Sequence, residues 1–162
     1  MPVSTAYRRY KKQYEEREQQ KFVNWFKREF PHAIIYCDYA AGLNLTDNQR
    51  IKMVGMRNRD GMPDIYVDFP SRGYHGMRLE MKKTGTAIYK RDGITLRKAP
   101  YTRRYAKAGK LYIKRGDHLQ EQALTLQEYC VAGYFARFAK GLEHAQELTM
   151  WYMQASENTE LF

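Results

Sequence analysis

Along this chain the spacing of hydrophobic positions switches between the helical period and the strand period, and the switches mark the elements. Residues 5–30 begin polar and charged, then place Phe22, Phe26 and Phe30, with Trp25, at spacings of three and four. That pattern predicts one long helix with an apolar face, ended by Pro31. Extended backwards, the face meets Glu15, Glu18 and Gln19. Ala33 to Cys37 is a short apolar run between Pro31 and Asp38 and predicts a buried strand. Thr46-Asp-Asn-Gln49 has capping-box spacing and predicts a short helix over 47–57. From Asp64 to Phe69 the chain alternates and is rich in aromatic and β-branched residues, which predicts a strand. Pro70-Ser-Arg-Gly73 is turn chemistry, and Tyr74 to Lys82 predicts a second strand. Ile88 to Leu96 predicts a hairpin around Asp92-Gly93. A helix is predicted from His118 to Ala132, closed by Gly133, with Leu119, Gln122, Leu126 and Tyr129 or Cys130 on one face. Tyr134 to Ala139 alternates as a strand. Gly141 opens a last helix facing inward through Leu142, Ala145, Leu148 and Tyr152, and the tail after Met153 is polar. This order predicts an α/β fold, a mixed central β-sheet flanked by helices, over residues 1–162 as one domain.

The pair of strands around Pro70-Ser-Arg-Gly73 carries the candidate chemistry. In a hairpin centred near Arg72, Asp64 faces Glu80, because the two are equidistant from the centre. Directly opposed residues lie about 4.5–5.5 Å apart at Cβ. The two-residue period of a strand puts Lys82 on the face of Glu80. Two carboxylates at that separation repel unless a cation lies between them. A divalent metal is the natural counter-ion, since Mg²⁺ is held by one or two carboxylates plus waters and phosphate oxygens. The Lys82 ammonium is suited to orienting a water or holding a phosphate oxygen. The alternative is a hairpin with an ordinary surface charge pair.

Charge placement points to the partner. The net charge is +10. Residues 83–115 hold eleven Lys and Arg against one acid, Asp92, while the rest of the chain holds 17 of each sign. The whole excess therefore follows directly after the two strands, and a polyanion is implied. Within the stretch, Lys83, Lys90, Arg91, Arg97, Lys98, Arg103, Arg104, Lys107 and Lys110 are candidate phosphate contacts, and Tyr89, Tyr101, Tyr105 and Tyr112 interleave with them. A solvated flap with tyrosines packed on the domain is the other reading. Apolar runs are too short to span a membrane, and the N-terminus is not signal-like. Cys37 and Cys130 fit neither a zinc nor a redox spacing, so buried reduced thiols in a cytoplasm are expected. There is no Gly-rich phosphate loop, and His32, His75, His118 and His144 are scattered.

Gly61-Met-Pro63-Asp64, Gly76-Met-Arg-Leu-Glu80-Met-Lys82, His118-Leu-Gln-Glu-Gln122 and Gly133-Tyr134, in that order, resemble the VRR-NUC domain of the PD-(D/E)XK nuclease superfamily. The likeness is to small stand-alone members carried by bacteriophages. Glu15 and Gln19 before Trp25 resemble that family's first-helix signature. The match covers most of the chain, with 83–117 as a basic insert longer than the family's connection.

The resemblance implies a restriction-endonuclease-like core and a DNA endonuclease dependent on Mg²⁺ or Mn²⁺. It implies Asp64 and Glu80 as metal ligands with the main-chain carbonyl of Met81, and Lys82 as the residue that positions or activates water. Gln122 would orient Lys82 or the water, and Glu15 would complete the acid set, with Glu18 as second choice. Stand-alone members imply branched DNA such as four-way junctions as substrate, a homodimer, and the cytoplasm of a bacterial or phage-infected cell. The competing expectation is a non-catalytic nucleic-acid-binding module on the same fold, whose binding would weaken with salt without any cleavage.

Overall fold

Phe22 and Phe26, one turn apart, are wholly buried and anchor the first helix, α1 (Thr5–Glu29). The computed structural model describes residues 5–37, 61–107 and 110–154, with Thr46, Asn48, Gln49, Lys52 and Met56 between; for 5–16, 103, 105–107, 110 and 111 only the backbone is described. Strands β1 (Ile34–Cys37), β2 (Ile65–Asp68), β3 (Met77–Lys82) and β6 (Phe135–Lys140) form a sheet in the order β1-β2-β3-β6. The first two pairings are antiparallel and the last, β3 with β6, is parallel. A parallel neighbour requires a crossover. Here it contains β4 (Pro100–Lys107), β5 (Lys110–Asp117) and helix α2 (His118–Val131). Helix α3 (Gly141–Met153) follows β6.

The two-residue period sorts the sheet's side chains between two cores. Ile65, Val67, Met77, Leu79 and Met81 pack with Phe22 and Phe26 of α1 and with Ala145, Tyr152 and Met153 of α3. On the opposite face Leu119 and Leu126 of α2 pack with Ile88, Ala136 and Phe138. β3 is central and covered on both sides, so its polar residues Arg78 and Glu80 are buried as deeply as its apolar ones.

The register is the expected one. Ile65 pairs with Leu79 and Val67 with Met77, which places Asp64 level with Glu80 one step beyond. The turn closes through reciprocal bonds between Ser71 and Tyr74, with Arg72 at φ 51. Ser71 Oγ donates to the Tyr152 carbonyl and Arg72 Nε to the Trp151 carbonyl, so the turn is tied to α3. As a result β3 begins at Met77 and not at Tyr74.

Other expectations need correction. Among the described residues the run Ala33–Cys37 is an edge strand and not a buried one: Ile34 is 68% and Tyr36 61% exposed, with β2 as its one strand neighbour. Cys130 is exposed and Cys37 half-buried, and neither is in a disulfide. The Thr46–Gln49 capping box forms, with Thr46 N–H donating to Gln49 Oε1 at 2.9 Å and Gln49 N–H to Thr46 Oγ1 at 3.4 Å. Most of the predicted 47–57 helix lies outside the described residues. The predicted 88–96 hairpin forms: Asp92 Oδ1 accepts from the N–H groups of Ile94 and Thr95, and the arms meet at the Tyr89–Leu96 bridge, where the Lys90 N–H donates to the Thr95 carbonyl at 2.7 Å and the Arg97 N–H to the Ile88 carbonyl at 2.8 Å. Residues 100–107 and 110–117 form an eight-pair antiparallel ribbon for which the sequence reading assigned no element. Among the described residues no helix is long and apolar enough to cross a membrane.

Candidate active site

Glu80 is the centre of the site and is only 2% exposed. Lys82, two residues on and so on the same strand face, donates to Glu80 Oε1 at 2.7 Å. Gln122 Nε2, from the second turn of α2, donates to the same oxygen. Asp64 Oδ2 accepts from the Met81 N–H at 2.8 Å. Burial, and then the nearby Asp64 carboxylate, push the Glu80 carboxyl well above the usual carboxylate range, against the lowering effect of Lys82. A buried acid beside a second acid disfavours its own charge.

Two acceptors in this pocket have no hydrogen-bond partner: Glu80 Oε2 and Gln122 Oε1. A buried unsatisfied carboxylate oxygen is costly. Such an arrangement fits a cation that takes the free oxygen and relieves the repulsion between the acids. The Met81 carbonyl suits the same set, because the N–H and C=O of one extended residue point the same way and its N–H faces Asp64. No group of three or more His, Cys, Asp or Glu side chains gathers among the described residues. A cation here would meet two carboxylates and a carbonyl, a set that would leave positions for water and phosphate.

The structure thus brings together Asp64, Glu80, Met81, Lys82 and Gln122. Gln122 meets Glu80, whereas the sequence reading aimed it at Lys82 or a water. Glu18 is half-buried and its Oε1 accepts from Thr84 Oγ1 at 3.3 Å, two residues past Lys82. The Glu15 side chain lies outside the described residues. Of the basic candidates, Lys90, Arg91, Arg97, Lys98 and Arg104 are exposed and Lys83 is half-buried; Arg103, Lys107 and Lys110 lie on the ribbon, where only their backbone is described. Sequence reasoning missed Thr84, for which no spacing signal exists. Tyr101 was read only as one of the tyrosines among the basic residues; its hydroxyl donates to Glu121 Oε1 at 2.7 Å beside Gln122.

Gly61 explains how Asp64 and Gln122 are held in register. It has φ 77, and a Cβ there would stand 2.9 Å from the backbone nitrogen of Gln122 and the carbonyl carbon of Glu121. Only glycine lets the strand entry lie against α2 this closely. Gly61→Ala is expected to destabilise by about 1–2 kcal/mol from backbone conformation alone, more once α2 is displaced. At about 2–4 °C per kcal/mol for a chain of this size, calorimetry will show a melting temperature lower by several degrees. An unchanged melting temperature would contradict the close packing.

No protein-family model matches the chain, and no curated protein does. Among solved structures it is similar to a "VRR_NUC domain protein", with a TM-score of 0.54 and 22% sequence identity over 88% of this chain and 89% of that one. At this identity the shared property is the fold alone. The chain has the fold of a VRR_NUC domain protein.

Proposed function

We propose that this chain is a metal-dependent DNA endonuclease that hydrolyses phosphodiester bonds, with branched DNA such as four-way junctions as its substrate. The observation that carries the reading is the buried Glu80 carboxylate, which has Lys82 and Gln122 on one oxygen, no partner on the other, and Asp64 alongside. Asp64, Glu80 and the Met81 carbonyl would hold Mg²⁺ or Mn²⁺. When bound, that ion supplies Lewis-acid stabilisation of phosphate charge and lowers the pKa of water.

The chain's own groups do the rest. Lys82 is fixed by Glu80 at the edge of the pocket, and its ammonium orients the attacking water or neutralises a phosphate oxygen. Gln122 fixes the Glu80 carboxylate, which leaves its second oxygen directed into the site. Glu15 would complete the acid set, with Glu18, whose Oε1 accepts from Thr84 Oγ1 two residues past Lys82, as second choice. A two-fold homodimer would suit paired cuts in a symmetric junction.

The test is a panel of linear, flap, Y-shaped and four-way DNA substrates with Mg²⁺, Mn²⁺ or chelator. Metal-dependent cleavage with a preference for branched forms is expected. Salt-sensitive binding without cleavage under any metal would replace this reading with a non-catalytic binding module.

A further inference from the structure

The β4–β5 ribbon has two unlike faces. Its register pairs Tyr101 with Gly116, Arg103 with Lys114, Tyr105 with Tyr112, and Lys107 with Lys110. Alternate residues share a face, so these positions form one surface and Thr102, Arg104, Ala106, Leu111, Ile113 and Arg115 the other. The first surface carries four cationic positions and no acid. Moreover, the cations are register partners: 103 opposite 114, and 107 opposite 110. Like charges placed directly opposite destabilise a strand pair. Lys114 also acts on the Tyr101 hydroxyl, and a polyanion laid along this face would offset the like-charge repulsion.

The spacing identifies the polyanion's form. Positions 103 and 107 are four residues apart, about 13 Å along an antiparallel strand. The major groove of B-form DNA is about 12 Å wide between its phosphate banks and admits a two-stranded ribbon. The tyrosine pair 105 and 112 lies midway between the two cation pairs.

The ribbon's root is fixed to the candidate active site. Tyr101 belongs to the cationic face, and its hydroxyl bonds Glu121, the neighbour of Gln122. Gly116 opposite leaves room for this contact: a Cβ there would stand 2.6 Å from Glu121 Oε1. Asp117 caps α2 through the Gln120 N–H and also accepts from the Ala99 N–H at 2.9 Å.

We infer that the ribbon lays this face across the major groove of a DNA duplex, the 103/114 pair on one phosphate bank and the 107/110 pair on the other. The inference rests on the nuclease reading for its substrate, and every arm of a branched DNA is such a duplex. It also divides the basic residues: Lys114 joins Arg103, Lys107 and Lys110, while Arg104 lies on the opposite face.

The test uses the full chain with Asp64→Asn in chelator, which suppresses cutting, and a fluorescent DNA duplex titrated over a salt series. Arg103→Gln/Lys114→Gln and Lys107→Gln/Lys110→Gln are each expected to reduce the slope of log affinity against log salt by about 1.8, two phosphate contacts' worth. Arg104→Gln/Arg115→Gln removes the same charge and should change the slope by less than half as much. An RNA duplex of equal length, whose major groove is deep and narrow, should bind the unsubstituted ribbon at least tenfold more weakly; this arm needs no ribbon variant to fold. Equal slopes for the two faces, or equal affinity for the RNA duplex, would overturn the inference. Such a result alongside normal metal-dependent cleavage removes only the ribbon's role. The expected slopes without metal-dependent cleavage by the unsubstituted protein remove only the nuclease reading.

Discussion

Lys82→Ala and Asp64→Asn will each slow cleavage of a labelled four-way junction by about 10²–10⁴-fold, the range for loss of a positioned acid–base or charge-stabilising group. The two substitutions act differently. Asn at 64 keeps an oxygen able to accept the Met81 N–H, so the β2–β3 geometry is retained while one negative charge is lost. Its defect should shrink as metal concentration is raised. Ala at 82 removes the only cation bonded to the Glu80 carboxylate among the described contacts. With burial and Asp64 then unopposed, Glu80 holds its proton more tightly. That defect should persist at saturating metal, because the group that orients water or phosphate is gone. A variant that cuts as fast as the parent would show that its residue is not part of the reaction.

The core of this site was legible in the sequence because strand registers are arithmetic. Once a turn is centred at Arg72, the level of every later pair follows, and Asp64 and Glu80 are level as Ile65 and Leu79 are. Gln122 was legible as a polar residue on an otherwise apolar helix face, and it is buried on that face. Its partner was not, because which atom an amide reaches depends on how α2 lies across β3, and helical periodicity does not encode that. The edge position of β1 was hidden for a similar reason. An apolar run such as Ile34-Ile-Tyr-Cys37 is compatible with a buried strand, and strand order is set by partners elsewhere in the chain.

The ribbon was obscured by its charge. Residues 100–117 alternate, but tyrosine alternates with arginine, lysine and threonine instead of polar with aliphatic. A strand pair without a core-facing side gives no binary hydrophobic pattern to read. Its elements are instead implied by the crossover, since a parallel β3–β6 pair leaves a long connection to be filled.

Arg78→Ala will lower stability by about 3 kcal/mol or more, the largest loss expected from a single truncation outside the two apolar clusters. Arg78 is 6% exposed in the middle of β3. Its guanidinium donates to the carbonyls of Met77 at 2.9 Å and Val67 at 3.1 Å, and to Asp68 Oδ1 at 2.8 Å. Tyr134, Tyr66 and Tyr129 surround it, with ring centres 4.3, 5.0 and 5.5 Å away. A buried cation is tolerable only with this degree of compensation. The arrangement joins β2, β3, the C-terminal end of α2 and the start of β6 around one side chain. Asp68 contributes less than the rings and carbonyls, because its side chain is 59% exposed and its charge stays solvated when Arg78 is removed. Asp68→Ala should therefore cost under 1 kcal/mol, as a surface ion pair does. Arg78→Lys should recover little, since an ammonium cannot present the planar fork to two carbonyls and a carboxylate while stacking on rings. Arg78→Met, which fills the volume without donors, separates packing from polar terms and should fall between Ala and the parent. Thermal melting reads all four variants, and the Ala variant should melt on the order of 10 °C below the parent. A shift no larger than that of Asp68→Ala would mean that the tyrosines hold these elements together without the cation, and Arg78 would then be incidental to the strand that carries Glu80.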